Sequence, residues 1–150
     1  MAIVIPNDAE ILWLKHGLGA PRSSNQFLQL YVNDIAPDED SIGSDFTEAF
    51  GGGYVERSLS PTLWTISPIF DGGEATRSPV VKFTFAGPLD NNDTIFGWLI
   101  VAKFFGGQLG DRNLLAVERF TNPFTPNNNG DILTVPVKFE MTNDPDKTVS

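Results

Sequence analysis

The sequence has no cysteine, a single histidine and two methionines. Without cysteine there are no disulfides, no thiolate chemistry and no cysteine-ligated zinc, and the redox compartment stays undetermined. The lone histidine, His16, leaves a histidine zinc site without partners. A Ser-His-Asp triad would have to use it, yet no G-x-S-x-G elbow accompanies it, so it reads as a structural or surface residue. Positive charge is also scarce: 10 Lys and Arg stand against 19 Asp and Glu, a formal net charge of −9. That balance disfavours nucleic acid and anionic membranes as partners. No apolar run approaches the ~18–20 residues of a membrane span. The N-terminal MAIVIPNDAE has neither the basic start nor the long apolar segment of a signal peptide. A soluble protein made without classical secretion is the expectation.

What is present is 150 residues rich in turn formers and aromatics, with 14 Gly, 11 Pro, 12 Phe and 3 Trp. A chain of this length buries roughly 68–70% of its unfolded surface, enough for one domain with one core. The many glycines and prolines imply short elements, and the phenylalanines can fill the space between two sheets with few residues.

The stretch Thr94 to Phe120 organises the rest. Thr94 to Ala102 is dense in Ile, Phe, Trp and Val, Leu114 to Phe120 is its return, and Gly106, Gly107, Gly110, Asp111 and Asn113 supply the reversal. This is a central β-hairpin. Gln26 to Asn33 alternates as a strand, with Leu28, Leu30 and Val32 on one side and Phe27, Gln29 and Tyr31 on the other. Tyr54 to Leu59 and Thr62 to Ile66 read as two short strands with Ser60 and Pro61 between, a spacing suited to a hairpin or a tight corner. Asp71 to Gly73 marks a loop, and Val80 to Phe85 forms another strand. Ile132 to Met141 closes the domain with Leu133, Val135, Val137 and Phe139 on one face. Its Pro136 lacks a ladder donor, which predicts an edge strand or a bulge there.

Near the N-terminus, Asn7 with Glu10 resembles a capping box opening a short helix, about Asp8 to His16, ended by Gly17. The expected architecture is an all-β antiparallel β-sandwich of about seven strands with one short N-terminal helix. A partly closed barrel is the second choice. Residues 1–6 form an apolar arm that should pair with something, 7–141 a single domain and 142–150 a polar tail.

Few constellations carry chemistry. Asp34, Asp38, Glu39 and Asp40, and separately Asn127, Asn128, Asn129 and Asp131, are oxygen-rich, but neither follows an EF-hand spacing. Both read as solvated turns, with calcium the residual alternative. Glu48, Glu56 and Glu118 could act as a glycosidase pair only across a cleft of about 5–9.5 Å, and they read instead as solvent-facing or paired strand residues. Gly51 to Gly53 resembles a phosphate loop in composition alone and reads as a flexible joint. The expectation is a non-enzymatic protein with no catalytic residue, cofactor or metal.

Aromatics beside loops carry the interaction reading. The candidate protein-interface residues are Ile3, Val4 and Ile5 of the arm with Phe50, Phe70, Phe104, Phe105 and Phe124. Such side chains either seal the ends of a sandwich or contact a partner chain, and both readings stand at this point.

The order of VIPNDAE with a leucine-bearing helix, LQLYVN, DFTEAFGGGY, FTFAGPL, VERF and NNNGDILTVPVKF resembles small structural virion proteins of tailed bacteriophages, including cyanophages. The tip GGQLGDRN and the loop APDEDSIG depart from that pattern. The resemblance implies a capsid decoration or cement protein on the capsid exterior, assembled in the bacterial host cytoplasm. Its partners would be the major capsid protein and itself, as a trimer or dimer. The alternative is a tail, neck or baseplate component, or a glycan-binding adhesion module using Trp13, Trp64 or Trp98 as a stacking platform.

Overall fold

The segment LQLY and the run IFGWLIVA lie side by side at the centre of the four-stranded sheet. The computed structural model describes residues 3–6, 24–59, 64–69, 72–77, 80–104 and 113–142. These hold strands β1 (Ser24–Tyr31), β2 (Arg57–Ser58), β3 (Trp64–Ile69), β4 (Gly72–Arg77), β5 (Val81–Thr84), β6 (Ile95–Phe104), β7 (Asn113–Phe124), β8 (Ile132–Val135) and β9 (Lys138–Thr142). The protein is mostly β. All pairings are antiparallel, in sheets of order β2-β1-β6-β7, β3-β4-β9 and β5-β8. Among the described residues there is no α-helix, and the helix expected over about Asp8 to His16 lies outside them.

β6 alternates imperfectly because both faces of its sheet are buried. On one face Leu28, Leu30, Trp98, Ile100, Ala102 and Ala116 join Val81 and Phe83 of β5 and Val135 and Val137 from β8 and just beyond it. On the other face Tyr31, Leu99, Val101, Leu114 and Val117 pack with Phe46, Ile35 and Val4. The register pairs Leu28 with Ile100, Leu30 with Trp98 and Gln29 with Leu99, so each strand sends alternate residues to alternate cores. β7 slips relative to β6 at Ile100/Val101, where Leu115 is left unpaired as a bulge, and again between Ile95 and Gly97.

The arm pairs as expected. Val4 N–H donates to Val117 O at 2.8 Å and Val117 N–H donates back at 3.0 Å, which places residues 3–6 on the outer edge of β7.

Two expectations are corrected, and one alternative is excluded. Tyr54 to Leu59 and Thr62 to Ile66 do not form the hairpin, because β2 pairs with β1 while β3 pairs with β4. The loop expected over Asp71 to Gly73 is strand from Gly72, in the centre of its sheet with neighbours on both sides. The single closing strand splits at Pro136 into two strands, each at the edge of its sheet, as the missing donor predicts. β8 pairs with β5 and β9 with β4, so the missing donor falls where the chain changes partner.

Tyr31 gives the fold an alkaline limit. Its ring is fully buried edge-on to Phe46 at 4.9 Å between centroids, and its hydroxyl finds no hydrogen-bond partner. Burial pushes its pKa up to about 12, with Arg119 pulling it down and Asp34 pushing it up by smaller amounts. Burial also raises Tyr54, whose hydroxyl donates to Glu48. Both groups bind their protons more tightly when folded. The stability they contribute is therefore complete below the ordinary value of about 10 and is lost as pH rises through the folded values. Urea midpoints should fall steeply between about pH 10 and 12. Tyr31→Phe should flatten that fall and change stability at neutral pH by less than about 1 kcal/mol, since no bond is broken. An unchanged alkaline limb in Tyr31→Phe would remove Tyr31 as its source.

Candidate functional site

The segment DFTEAFGGGY turns two apolar residues inward and one outward. Phe46 and Ala49 are buried, and the chain between them runs beside the end of β1: Val32 N–H donates to Thr47 O at 2.9 Å and Ala49 N–H to Leu30 O at 2.8 Å. With Ala49 fixed inward immediately before it, Phe50 points away and is 74% exposed. Gly51, Gly52 and Gly53 follow with φ of 85°, 57° and 78°, a left-handed path that side chains resist.

This turn is braced rather than a free joint, which corrects the expectation from composition. Asp90 N–H donates to Phe50 O at 2.9 Å, Ala86 N–H to Gly52 O at 2.8 Å and Tyr54 N–H to Gly51 O at 3.0 Å. A Cβ on Gly52 would lie 2.7 Å from the carbonyl oxygens of both Gly87 and Pro88, and one on Gly51 would meet the Asp90 carboxylate. Asn91 and Asn92, at φ 60° and 54°, complete the facing loop. Phe50 is thus an exposed aromatic on a pre-set backbone with a carboxylate beside it.

The other interface candidates are placed differently. Ile3, Val4 and Ile5 are half-buried and pack on the chain's own cores. Phe124 is half-buried against Phe85, with ring centroids 5.9 Å apart, and so closes an end of the core. Phe104 ends β6 opposite Ser24, while Phe70 and Phe105 lie outside the described residues. Of the tryptophans proposed as sugar platforms, Trp98 is 1% exposed in the core and is excluded from that role. Trp64 lies on β3, and Trp13, like His16, is outside the described residues.

Four further exposed apolar side chains were missed from sequence: Ile42, Val55, Val80 and Ile132. A signal for one existed. Alternation through Leu133, Val135 and Val137 turns Ile132 outward, opposite Thr84, beside the Lys82 and Thr134 pair.

The polar candidates are engaged in structural bonds. Glu56 accepts from Lys103 Nζ and from buried Gln29 Nε2, both at 2.6 Å, and Lys103 also sits 4.7 Å over the Phe27 ring. Glu48 accepts from the Tyr54 hydroxyl at 3.0 Å, and that hydroxyl accepts from Leu30 N–H at 3.2 Å. Glu118 is half-buried on β7, with β1 and β6 lying between it and β2, and burial raises its carboxyl above the ordinary range. Arg119 donates to Ile35 O at 2.8 Å and to the Asp34 carboxylate, over the face of Phe96.

Both oxygen-rich loops spend carboxylates on their own turns. Asp38 Oδ1 accepts from Asp40 N–H and the Ser41 hydroxyl, and Asp45 Oδ2 accepts from Ile42 N–H. Asp131 Oδ2 accepts from Asn127 and Asn128 N–H at 2.8 and 2.9 Å, which holds its carboxyl below the usual carboxylate range. Among the described residues no group of three or more acidic, histidine or cysteine side chains is placed to hold a metal ion.

Comparison of the chain with protein-family models, with curated proteins and with solved structures finds no match.

Proposed function

We propose that this chain is a non-enzymatic structural protein of a tailed-bacteriophage virion, a decoration or cement protein on the capsid exterior. It would stabilise the head through contacts with the major capsid protein and with further copies of itself. The observation that carries the reading is Phe50, 74% exposed on the braced turn of the DFTEAFGGGY motif. An aromatic held out on a backbone already in its bound shape loses little entropy when a partner covers it. Small contacts of this kind become effective when repeated over a lattice of identical sites. The acidic net charge suits an outer surface away from packaged DNA.

The finer architecture belongs to the same reading: we take the arrangement as a β-sandwich in which the β5-β8 pair faces the four-stranded sheet across the shared core. A single platform of this kind presents its loops at the ends of the sheets, where the Phe50 turn lies.

Cryo-electron microscopy of the virion is the direct test. Hundreds of copies at capsomer junctions are expected. A few copies at the tail would move the function to attachment or tail assembly, and absence from the particle would reject a virion role. Phe50→Asp should leave the urea midpoint within about 0.5 kcal/mol of the parent, since the side chain is exposed. The same change should abolish rebinding to particles stripped of the protein, measured by sedimentation with the particles. Full rebinding by Phe50→Asp would show that this aromatic is not the contact.

A further inference from the structure

The loop that joins β7 to β8 carries a reactive dipeptide. Of the asparagines in the sequence, Asn129 alone is followed by glycine. Asn127 and Asn128 precede asparagine and Asn92 precedes Asp93, so in each of those the next residue brings a Cβ against the attacking amide. Gly130 brings none, and the space its Cβ would occupy is empty to 4 Å. Asn129 is itself exposed.

Glycine's amide nitrogen can attack the preceding side-chain carbonyl carbon. The new bond joins Gly130 N to Asn129 Cγ, the Cγ to side-chain nitrogen bond breaks, and ammonia leaves with the amide proton. Water then opens the five-membered succinimide at either carbonyl, giving aspartate or isoaspartate. No oxidant or reductant is needed.

The fold holds that nitrogen back. Gly130 N–H donates to Phe85 O at 2.7 Å, and Phe85 N–H donates to Asp131 O at 2.8 Å, so the nucleophile is committed to the end of β5. Asp131 fixes the approach to it by accepting from Asn127 and Asn128 N–H, and its own N–H donates to Asn128 O at 3.2 Å. Attack requires these bonds to open, and opening is a local event with its own free energy.

We propose that Asn129 is a site of spontaneous deamidation that the folded chain suppresses through the Gly130 to Phe85 hydrogen bond, so that conversion reports detachment of the β7–β8 loop from the end of β5. The aspartate product adds a negative charge beside Asp131. The isoaspartate product also lengthens the main chain inside the turn that sets the β5–β8 register.

The test is peptide mapping by mass spectrometry of the full chain aged at mildly alkaline pH, with and without urea. Conversion at Asn129 should run at least about tenfold faster in urea, because protection is lost with the fold. In urea it should outpace Asn127, Asn128 and Asn92. Asp131→Ala, verified as folded by circular dichroism, should speed conversion several-fold in buffer and leave the urea rate unchanged. Equal rates with and without urea would overturn the proposal. So would an Asn129 rate in urea no faster than that of Asn128. Should Asp131→Ala not fold, the comparison of buffer with urea in the parent chain decides alone.

Discussion

Gly97→Ala is expected to cost about 3 kcal/mol or more, a large share of the roughly 5–15 kcal/mol that holds an ordinary domain together. The added methyl would lie 2.2 Å from Glu118 O and 2.6 Å from both Cε1 and the hydroxyl oxygen of Tyr31. A tyrosine tip can shift; a carbonyl in the neighbouring strand moves only if β6 and β7 separate. The position is also where β7 regains register after its irregularity, with Gly97 opposite both Arg119 and Tyr31. Separating the strands there would disturb the Arg119 bonds to Asp34 and Ile35 as well. Urea denaturation measures the loss. Gly87→Ala is the matched control, since nothing lies within 4 Å of its Cβ, and it should fall within about 0.5 kcal/mol of the parent. Pairing Gly97→Ala with Tyr31→Phe should recover only part of the loss, because the clash with the carbonyl remains. Equal stability of Gly97→Ala and Gly87→Ala would mean that the two strands are not held at the spacing described.

Trp98→Ala should cost about 3–5 kcal/mol, the usual range for removing a large buried aromatic. Trp98 is 1% exposed, sits on an interior strand and faces the core that β1, β5, β6, β7 and β8 share. Its flanking partners in register are Leu30 and Glu118. Neither neighbour can collapse into the space without leaving its own strand, so the cavity persists and the cost sits at the upper end. Trp98→Phe should recover more than half of it. A midpoint shift below about 1 kcal/mol for the alanine variant would contradict the burial described here. The tryptophan's interior position also explains why sugars should not alter its fluorescence.

Elements whose signal is local could be read from the residues. LQLYVN alternates cleanly and is a strand, the apolar run on either side of the glycine-rich tip is a hairpin, and Pro136 breaks the last ladder where a missing donor requires it. Elements whose signal comes from partners could not. GGEATR has two glycines and no apolar alternation, yet it becomes a central strand because β3 and β9 satisfy its backbone on both sides. Composition alone makes Gly51 to Gly53 a loose joint. Its rigidity comes from Ala86 and Asp90, more than thirty residues away. The same limit applies to the candidate site. Phe50 and Phe124 look alike in sequence, beside loops and near prolines or glycines. One follows the inward-anchored Phe46 and Ala49 and is turned out, and the other is drawn in by Phe85.

The order of strands in the main sheet has a consequence during synthesis. β1 pairs along its whole length with β6, which follows about seventy residues later in the chain. At a translation rate of about 5–20 residues per second, β1 leaves the ribosome roughly 4–14 seconds before β6 can meet it. Through that interval Leu28, Leu30 and Tyr31 have only the two-residue β2 and the Thr47–Ala49 segment to pair with. An interior strand of the finished sheet is therefore an apolar segment that the nascent chain carries without its principal partner, where a chaperone could bind it.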